Sequence, residues 1–276
     1  MQAEAAAAGG AKLPEVLKLL RRLGLDDFGL LLLSMPNAEY PHLSKVLPKM
    51  ASEATQKQWA GSCDVTLLKQ TTLFSRQLAY TYQRYSGRQL DSLRILDFGC
   101  GFGRLIRMMY YFTDPDRIYG IDPWDRSINI CESDGVLANY GISERVPQKL
   151  PVNGTKFDLA YACSVFTHLS QKAAMASFGA IRQAMQPDGI FIATIRPVEF
   201  WQYFDKIKNS SNAINLERVH KETGFAYQEH PGVMEGTYGD ASISLPFMER
   251  IPGWKMVGYD RSLGDSYQIV VAMKPA

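Results

Sequence analysis

The 276-residue sequence has no strong charge of either sign: 30 lysines and arginines stand against 28 aspartates and glutamates, a formal net charge of +2. The basic residues gather into no block, so no groove or stripe of the kind that binds nucleic acid is legible, and no nucleic-acid partner is expected. Cysteine is scarce. The four, at positions 63, 100, 131 and 163, have neither C-x-x-C nor other ligand spacing, which points to reduced thiols in a cytoplasmic protein. Long apolar runs are missing as well. Phe28 to Met35, the longest uncharged apolar stretch near the start, falls far short of the roughly twenty residues needed to cross a bilayer. The N-terminus lacks the basic region and cleavage pattern of a signal peptide, so neither a transmembrane segment nor export is expected. No grouping of Asp, Glu and His has convincing metal-ligand spacing, which disfavours a metal-dependent mechanism.

What is present suits a globule. Hydrophobic residues at 46% and charged ones at 21% are ordinary, and the length holds one large α/β domain with additions. The most informative segment is Asp97-Phe98-Gly99-Cys100-Gly101-Phe102-Gly103, placed after the apolar run Leu93 to Leu96 and before the amphipathic stretch Arg104-Leu105-Ile106. This order predicts a strand, a glycine turn and a helix N-terminus, which together present backbone N–H groups and a positive dipole end to a nucleotide-like ligand. A dinucleotide fingerprint needs Gly at its first, third and sixth positions. Here the sixth is Arg104, which would crowd the helix against the strand, so a nicotinamide or flavin cofactor is disfavoured.

Further along, Arg117 to Asp122 reads as a short strand ending in an acid, positioned where a carboxylate accepts both hydroxyls of a ribose. The plainer alternative makes Asp122 a helix cap or turn residue before Pro123. Trp124 is placed either to cover an adenine or simply to pack. A third segment, Phe157 to Leu169, predicts another strand followed by Cys163-Ser164 and Val165-Phe166-Thr167-His168-Leu169. Met185-Gln186-Pro187-Asp188-Gly189 then marks a helix stop and turn before a strand over Ile190 to Ile195. Alternating strands and helices over about a hundred residues call for a doubly wound, mostly parallel sheet.

The Asp-x-Gly-x-Gly-x-Gly arrangement, with Asp122 beyond it, resembles the class I S-adenosylmethionine-dependent methyltransferases. The resemblance implies a Rossmann-like seven-stranded sheet whose last strand is antiparallel, formed by a closing hairpin of Trp254 to Tyr259 and Tyr267 to Met273. It implies S-adenosylmethionine as cofactor, held by Asp97, Gly99, Cys100, Gly101, Gly103, Asp122, Pro123, Trp124, Cys163 and Ser164, with Arg104 at the cofactor carboxylate. In many relatives an acid a few residues before a Leu-Pro pair contacts the adenine; here Arg145 and Val146 precede Leu150-Pro151 instead. With Trp59-Ala60-Gly61 and Tyr238-Gly239-Asp240 added, the chain looks like bacterial methyltransferases found with glycan-building enzymes. That likeness spans roughly residues 45 to 272 and suggests polysaccharide biosynthesis.

The expected organisation is a disordered tail over 1–12, a helical extension over 13–90 and a cofactor-binding domain over 91–276. The third strand, over Gly141 to Val146, is the least distinct. The extension is longer than such a core requires, so it closes over the site or makes a homodimer contact. Residues 197–247, rich in Tyr, His, Gly and Pro, read as a cap over the acceptor. Transfer to a hydroxyl needs a base. His168 is the first candidate because it follows the fourth strand and its near-neutral pKa suits the task, although a histidine there also serves to order a loop. His230 and Glu199 are the reserves, and His220 belongs to a polar helix. Trp59, Tyr227, Tyr238 and Asp240 are expected at the acceptor, since sugar faces stack on aromatic rings and carboxylates take hydroxyls. The leading expectation is O-methylation of a saccharide. A natural-product or lipid hydroxyl, and a cofactor-binding scaffold without turnover, are the alternatives.

Overall fold

The computed structural model describes residues 2–208, 211–232 and 236–276. Its strands are β1 (Ile95–Phe98), β2 (Ile118–Asp122), β3 (Asn139–Ile142), β4 (Phe157–Ala162), β5 (Met185–Ile195), β6 (Phe225–Glu229), β7 (Gly239–Ile243), β8 (Trp254–Arg261) and β9 (Ile269–Pro275). Seven form one sheet in the order β3-β2-β1-β4-β5-β9-β8, and β6 and β7 form a separate antiparallel pair. The expected class, a Rossmann-like α/β fold with an antiparallel last strand, is the one observed: β9 runs antiparallel to both β5 and β8. No helix among the described residues is long and apolar enough to cross a membrane.

The chain divides into two compact units, residues 1–83 with 88–142 and residues 84–87 with 143–276. The first unit begins with α1 (Gln2–Ala8), α2 (Leu13–Leu20), α3 (Leu25–Leu33), α4 (Leu43–Val46), α5 (Glu53–Ala60) and most of α6 (Asp64–Ser86). The expectation of a disordered tail over 1–12 is corrected by α1. Its alanines have the highest helix propensity, and Glu4 accepts from the backbone N–H groups of His42 and Leu43, both at 2.9 Å, which ties the helix to the start of α4. α2 buries Leu13, Val16, Leu17 and Leu20, the i, i+3, i+4, i+7 stripe of an amphipathic helix. At its end Arg21 donates to the carbonyls of Tyr110 and Thr113, both at 2.7 Å, and pairs with Asp114 at 2.8 Å, clamping α2 to the segment that follows α7 (Arg104–Met109). In the same unit β1, β2 and β3 are parallel. β3 begins two residues earlier than the sequence suggested and ends at Ile142, because its partner β2 ends at Asp122 opposite that residue.

The second unit holds β4 and β5 in parallel, α9 (Gln171–Ala184) and the β8–β9 pair. The ladder of β5 already starts at Met185; its register slips between Phe157 and Leu159, so the expected turn at Gln186 to Gly189 bulges out of a strand instead of preceding it. The span 197–247, expected as a long cap, carries regular structure: α10 (Phe200–Lys208), α11 (Ala213–Thr223), β6, β7 and α12 (Leu245–Glu249), with residues 209–210 and 233–235 outside the described set. It has a core of its own, in which Phe200, Trp201 and Phe204 pack with Ala213, Leu216 and Ala226. Burying such side chains is worth roughly 1.5–3 kcal/mol each, enough to order the segment. Trp201 Nε1 donates to Ser242 Oγ at 2.7 Å, and Ser242 lies 2.7 Å from His220 Nδ1, so His220 is a buried structural partner in this core.

Candidate functional site

In the first unit the glycine segment forms a backbone cradle at the carboxyl ends of β1 and β2. Gly99, Gly101 and Gly103 have φ of +79°, +53° and +72°. Gly99 N–H donates to the Ile121 carbonyl at 2.7 Å, and Gly101 N–H donates to Asp122 Oδ2 at 3.0 Å. Asp122, the last residue of β2, takes a second bond on Oδ1 from Trp124 N–H at 2.9 Å across Pro123. One side chain therefore fixes the loop and the turn after the strand. Burial lifts the Asp122 pKa, and the two backbone N–H groups and Ser127 oppose the rise.

What surrounds Gly101 decides whether a ligand fits. A Cβ there would meet only Trp59 Cε3, at 3.7 Å, so the space before the loop is open on every other side. Trp59 comes from α5 and stacks on Trp124 with ring centroids 5.4 Å apart and planes 19° apart, while the Arg126 guanidinium lies 5.6 Å from the Trp59 ring. Trp124 is exposed. Expected near the acceptor, Trp59 stands instead beside the glycine loop. The combination of bare backbone, a carboxylate at a strand tip and a flat aromatic face fits a nucleoside carrying an amino-acid moiety.

Other residues assigned to the cofactor turn elsewhere. A Cβ on Gly103 would lie 3.0 Å from Cys131 Sγ and 3.3 Å from Val136, so Gly103 serves packing against the protein interior. Cys100 is buried and its thiol is pushed well up, first by its hydrogen bond to Cys131 and then by burial, which leaves only its backbone for a ligand. Arg104 Nη1 reaches back to Thr71 Oγ1 at 3.3 Å. Asp97 is buried within β1.

The second unit gathers polar side chains at the carboxyl ends of β4 and β5. Ser164 follows Cys163 with φ +58°, a conformation costly for a side chain with a Cβ. It is pinned there by its N–H to Thr194 Oγ1, 2.7 Å, and by the Gln268 amide, whose Nε2 lies 3.0 Å from its hydroxyl. His168 stands in the turn before α9, its Nδ1 2.7 Å from the Gly239 carbonyl and its Nε2 3.3 Å from Arg196 Nη2. Asp240 is the hub. Oδ1 accepts from Arg196 Nη1 at 2.5 Å and Oδ2 lies 2.6 Å from His230 Nε2, while Tyr238 stacks on His168 at 5.2 Å. Only backbone fits between β6 and β7 at Gly239, where a Cβ would come within 2.1 Å of the Gln228 carbonyl oxygen, and this closeness delivers Asp240 to the cluster.

These contacts change several assignments. Burial, and then the Arg196 charge, push the His168 pKa down to about 4, and both ring nitrogens are engaged, which weighs against His168 as the base. Asp240 is 4% exposed and committed to Arg196 and His230, so it supports the cluster from within and does not present its carboxylate to an acceptor. Although burial alone would raise it, the Arg196 charge, then His168 and the hydrogen bonds, hold its carboxyl below the usual range. Glu199 is exposed, and its charge acts on His220. Tyr227 has its hydroxyl buried without a partner among the described residues, and burial pushes its pKa up to about 12. Arg196, unnoticed in the sequence, is the residue that links the others; its one signal was its position directly after Ile195, at the tip of a strand.

Residues 96–193 match the family described as "Methyltransferase domain". Among solved structures, an S-adenosylmethionine-dependent methyltransferase from Clostridium acetobutylicum is similar at 12% identity and a TM-score of 0.52, over 81% of this chain and 96% of that one. Magnesium protoporphyrin IX methyltransferase from Synechocystis with bound SAH is similar at 14% identity and a TM-score of 0.50, over 81% of this chain and 94% of that one. At such identities the likeness is one of fold. No curated protein matches the sequence.

Proposed function

We propose that this chain is an S-adenosylmethionine-dependent methyltransferase, that it methylates a hydroxyl group, and that the hydroxyl belongs to a saccharide or glycan precursor. When bound, the cofactor supplies a methyl group on a sulfonium, whose sulfur departs as a neutral thioether. Gly99 and Gly101 would receive it along the loop backbone, Asp122 would take its ribose hydroxyls and Trp124 would lie along its base.

The His168–Arg196–Asp240–His230 cluster carries the oxygen-acceptor reading. A hydroxyl must lose its proton to become a methyl ether, and an imidazole hydrogen-bonded to a carboxylate, as His230 is to Asp240, is suited to taking one. Tyr227 and Tyr238 add aromatic surface and phenolic donors of the kind that suits a polyhydroxylated ligand. The same reading keeps residues 13–90 as a helical extension, 197–247 as the acceptor cap, a cytoplasmic location and a homodimer. Methyl-labelled cofactor offered with nucleotide sugars, oligosaccharides, lipids and simple phenols tests it. Label on a sugar hydroxyl is the expected result. Label only on phenols or lipids would replace the saccharide with the natural-product or lipid alternative.

A further inference from the structure

Two histidines stand in the second unit with ring centroids 6.4 Å apart, and their hydrogen bonds impose opposite tautomers. His168 Nδ1 faces the Gly239 carbonyl, which can only accept, so Nδ1 carries the proton. Its Nε2 then holds the lone pair, to which Arg196 Nη2 donates. No nitrogen of His168 is left to receive a proton from a ligand. His230 is arranged the other way round. Its Nε2 donates to Asp240 Oδ2, so Nδ1 keeps the lone pair. The His230 side chain is 33% exposed, against 21% for His168 and 6% for Asp240.

We propose that His230 is the general base of this methyl transfer, taking the acceptor's proton on Nδ1 while Asp240, as a positioning residue, holds its Nε2–H. The proposal rests on the hydroxyl-acceptor reading above. The acceptor O–H bond breaks toward His230 Nδ1, an oxygen lone pair forms the new O–C bond, and the electrons of the breaking S–C bond stay on the leaving sulfur. The imidazolium then releases its proton to water. Arg196 holds Asp240 from one side, and His168 lies 3.5 Å from Asp240 Oδ1, so the carboxylate has a single orientation toward His230.

The sequence has only four histidines, so their ring nitrogens can be assigned one by one by NMR on the full chain with single variants. The expected spectrum at neutral pH shows His230 as the Nε2–H tautomer and His168 as the Nδ1–H tautomer. In Asp240→Asn, Arg196 keeps the amide oxygen and turns the NH₂ toward His230, which should flip His230 to Nδ1–H and cost about 10³–10⁴ in turnover, as a wrong tautomer does elsewhere. His230→Gln should lose about 10²–10⁴ in turnover on whichever hydroxyl of the panel is methylated, with cofactor affinity unchanged by calorimetry. An Nδ1–H tautomer of His230 in the wild-type chain, or turnover of His230→Gln within about tenfold of wild type, would overturn the proposal. Should Asp240→Asn fail to fold, the wild-type spectrum and His230→Gln still decide. Methylation of phenols alone, with the expected tautomers and the expected loss in His230→Gln, would remove the saccharide reading and leave the base in place.

Discussion

The glycine cradle of the first unit and the histidine cluster of the second do comparable work with different parts. The cradle is mostly main chain: bonds from Gly99 and Gly101, closed by a single carboxylate 21 positions further on. The cluster is built of side chains, drawn from the turn after β4, the tip of β5, the end of β6 and the start of β7, with the Gly239 carbonyl as a backbone partner. A backbone site tolerates almost any neighbour but cannot tolerate a Cβ in the wrong place. A side-chain cluster tolerates local backbone change, yet each charge in it depends on every other, because a buried ion left alone costs several kcal/mol.

The largest expected effect tests that dependence. Asp240→Ala leaves Arg196 without its carboxylate at 13% side-chain exposure, and should destabilise the protein by about 3–5 kcal/mol in urea unfolding. A loss below about 1 kcal/mol would mean the cluster is solvated and the contrast with the cradle misplaced. Gly101→Val comes next. It forces a β-branched residue to a φ of +53° and fills the open space before the loop, so cofactor affinity should fall by about 3 kcal/mol, read by calorimetry, with a smaller loss of stability. Equal affinity in this variant would remove the cradle as the cofactor site.

A pH titration sharpens the comparison further. His168 is held down to about 4 from an ordinary 6.5, facing Arg196, Asp240, His230 and Tyr238. The unfolded chain binds the proton near 6.5 and the folded chain only near 4, so stability should fall as pH drops through that interval, by on the order of 2 kcal/mol. Below it, protonation of Asp240, whose pKa is lowered, should remove more. In His168→Gln the loss between 6.5 and 4 should shrink to what His220, whose pKa burial also lowers, contributes; an undiminished loss would place the proton uptake elsewhere. The smallest effect is at Trp59. Trp59→Ala removes one ring of the Trp59–Trp124 stack and should weaken cofactor binding by about 1 kcal/mol, while diminishing any fluorescence quenching that binding produces. An unchanged affinity would make the stack a packing feature of α5.

Legibility followed the same division. The order of strands and helices, the glycine loop and Asp122 could be read because each is a local pattern: apolar runs of strand length, glycines at fixed offsets, an acid at a strand tip. The closing hairpin was legible for the same reason, and β9 took its place beside β5. The N-terminal alanines were misread because low complexity resembles disorder unless a tertiary partner such as the His42–Leu43 backbone is in view. His168 was read by its ordinary pKa, which burial and Arg196 then removed. Asp240 looked like a ligand for hydroxyls because nothing near it in the sequence reveals that Arg196, 44 positions away, claims its oxygen.

By itself the sequence determined the α/β alternation and the cradle, since these depend on backbone conformation and short-range spacing. Tertiary structure alone decided which histidine keeps a lone pair. Hydrogen-bond partners and burial set tautomer and charge, and both are supplied by strands and turns that meet only when the chain folds.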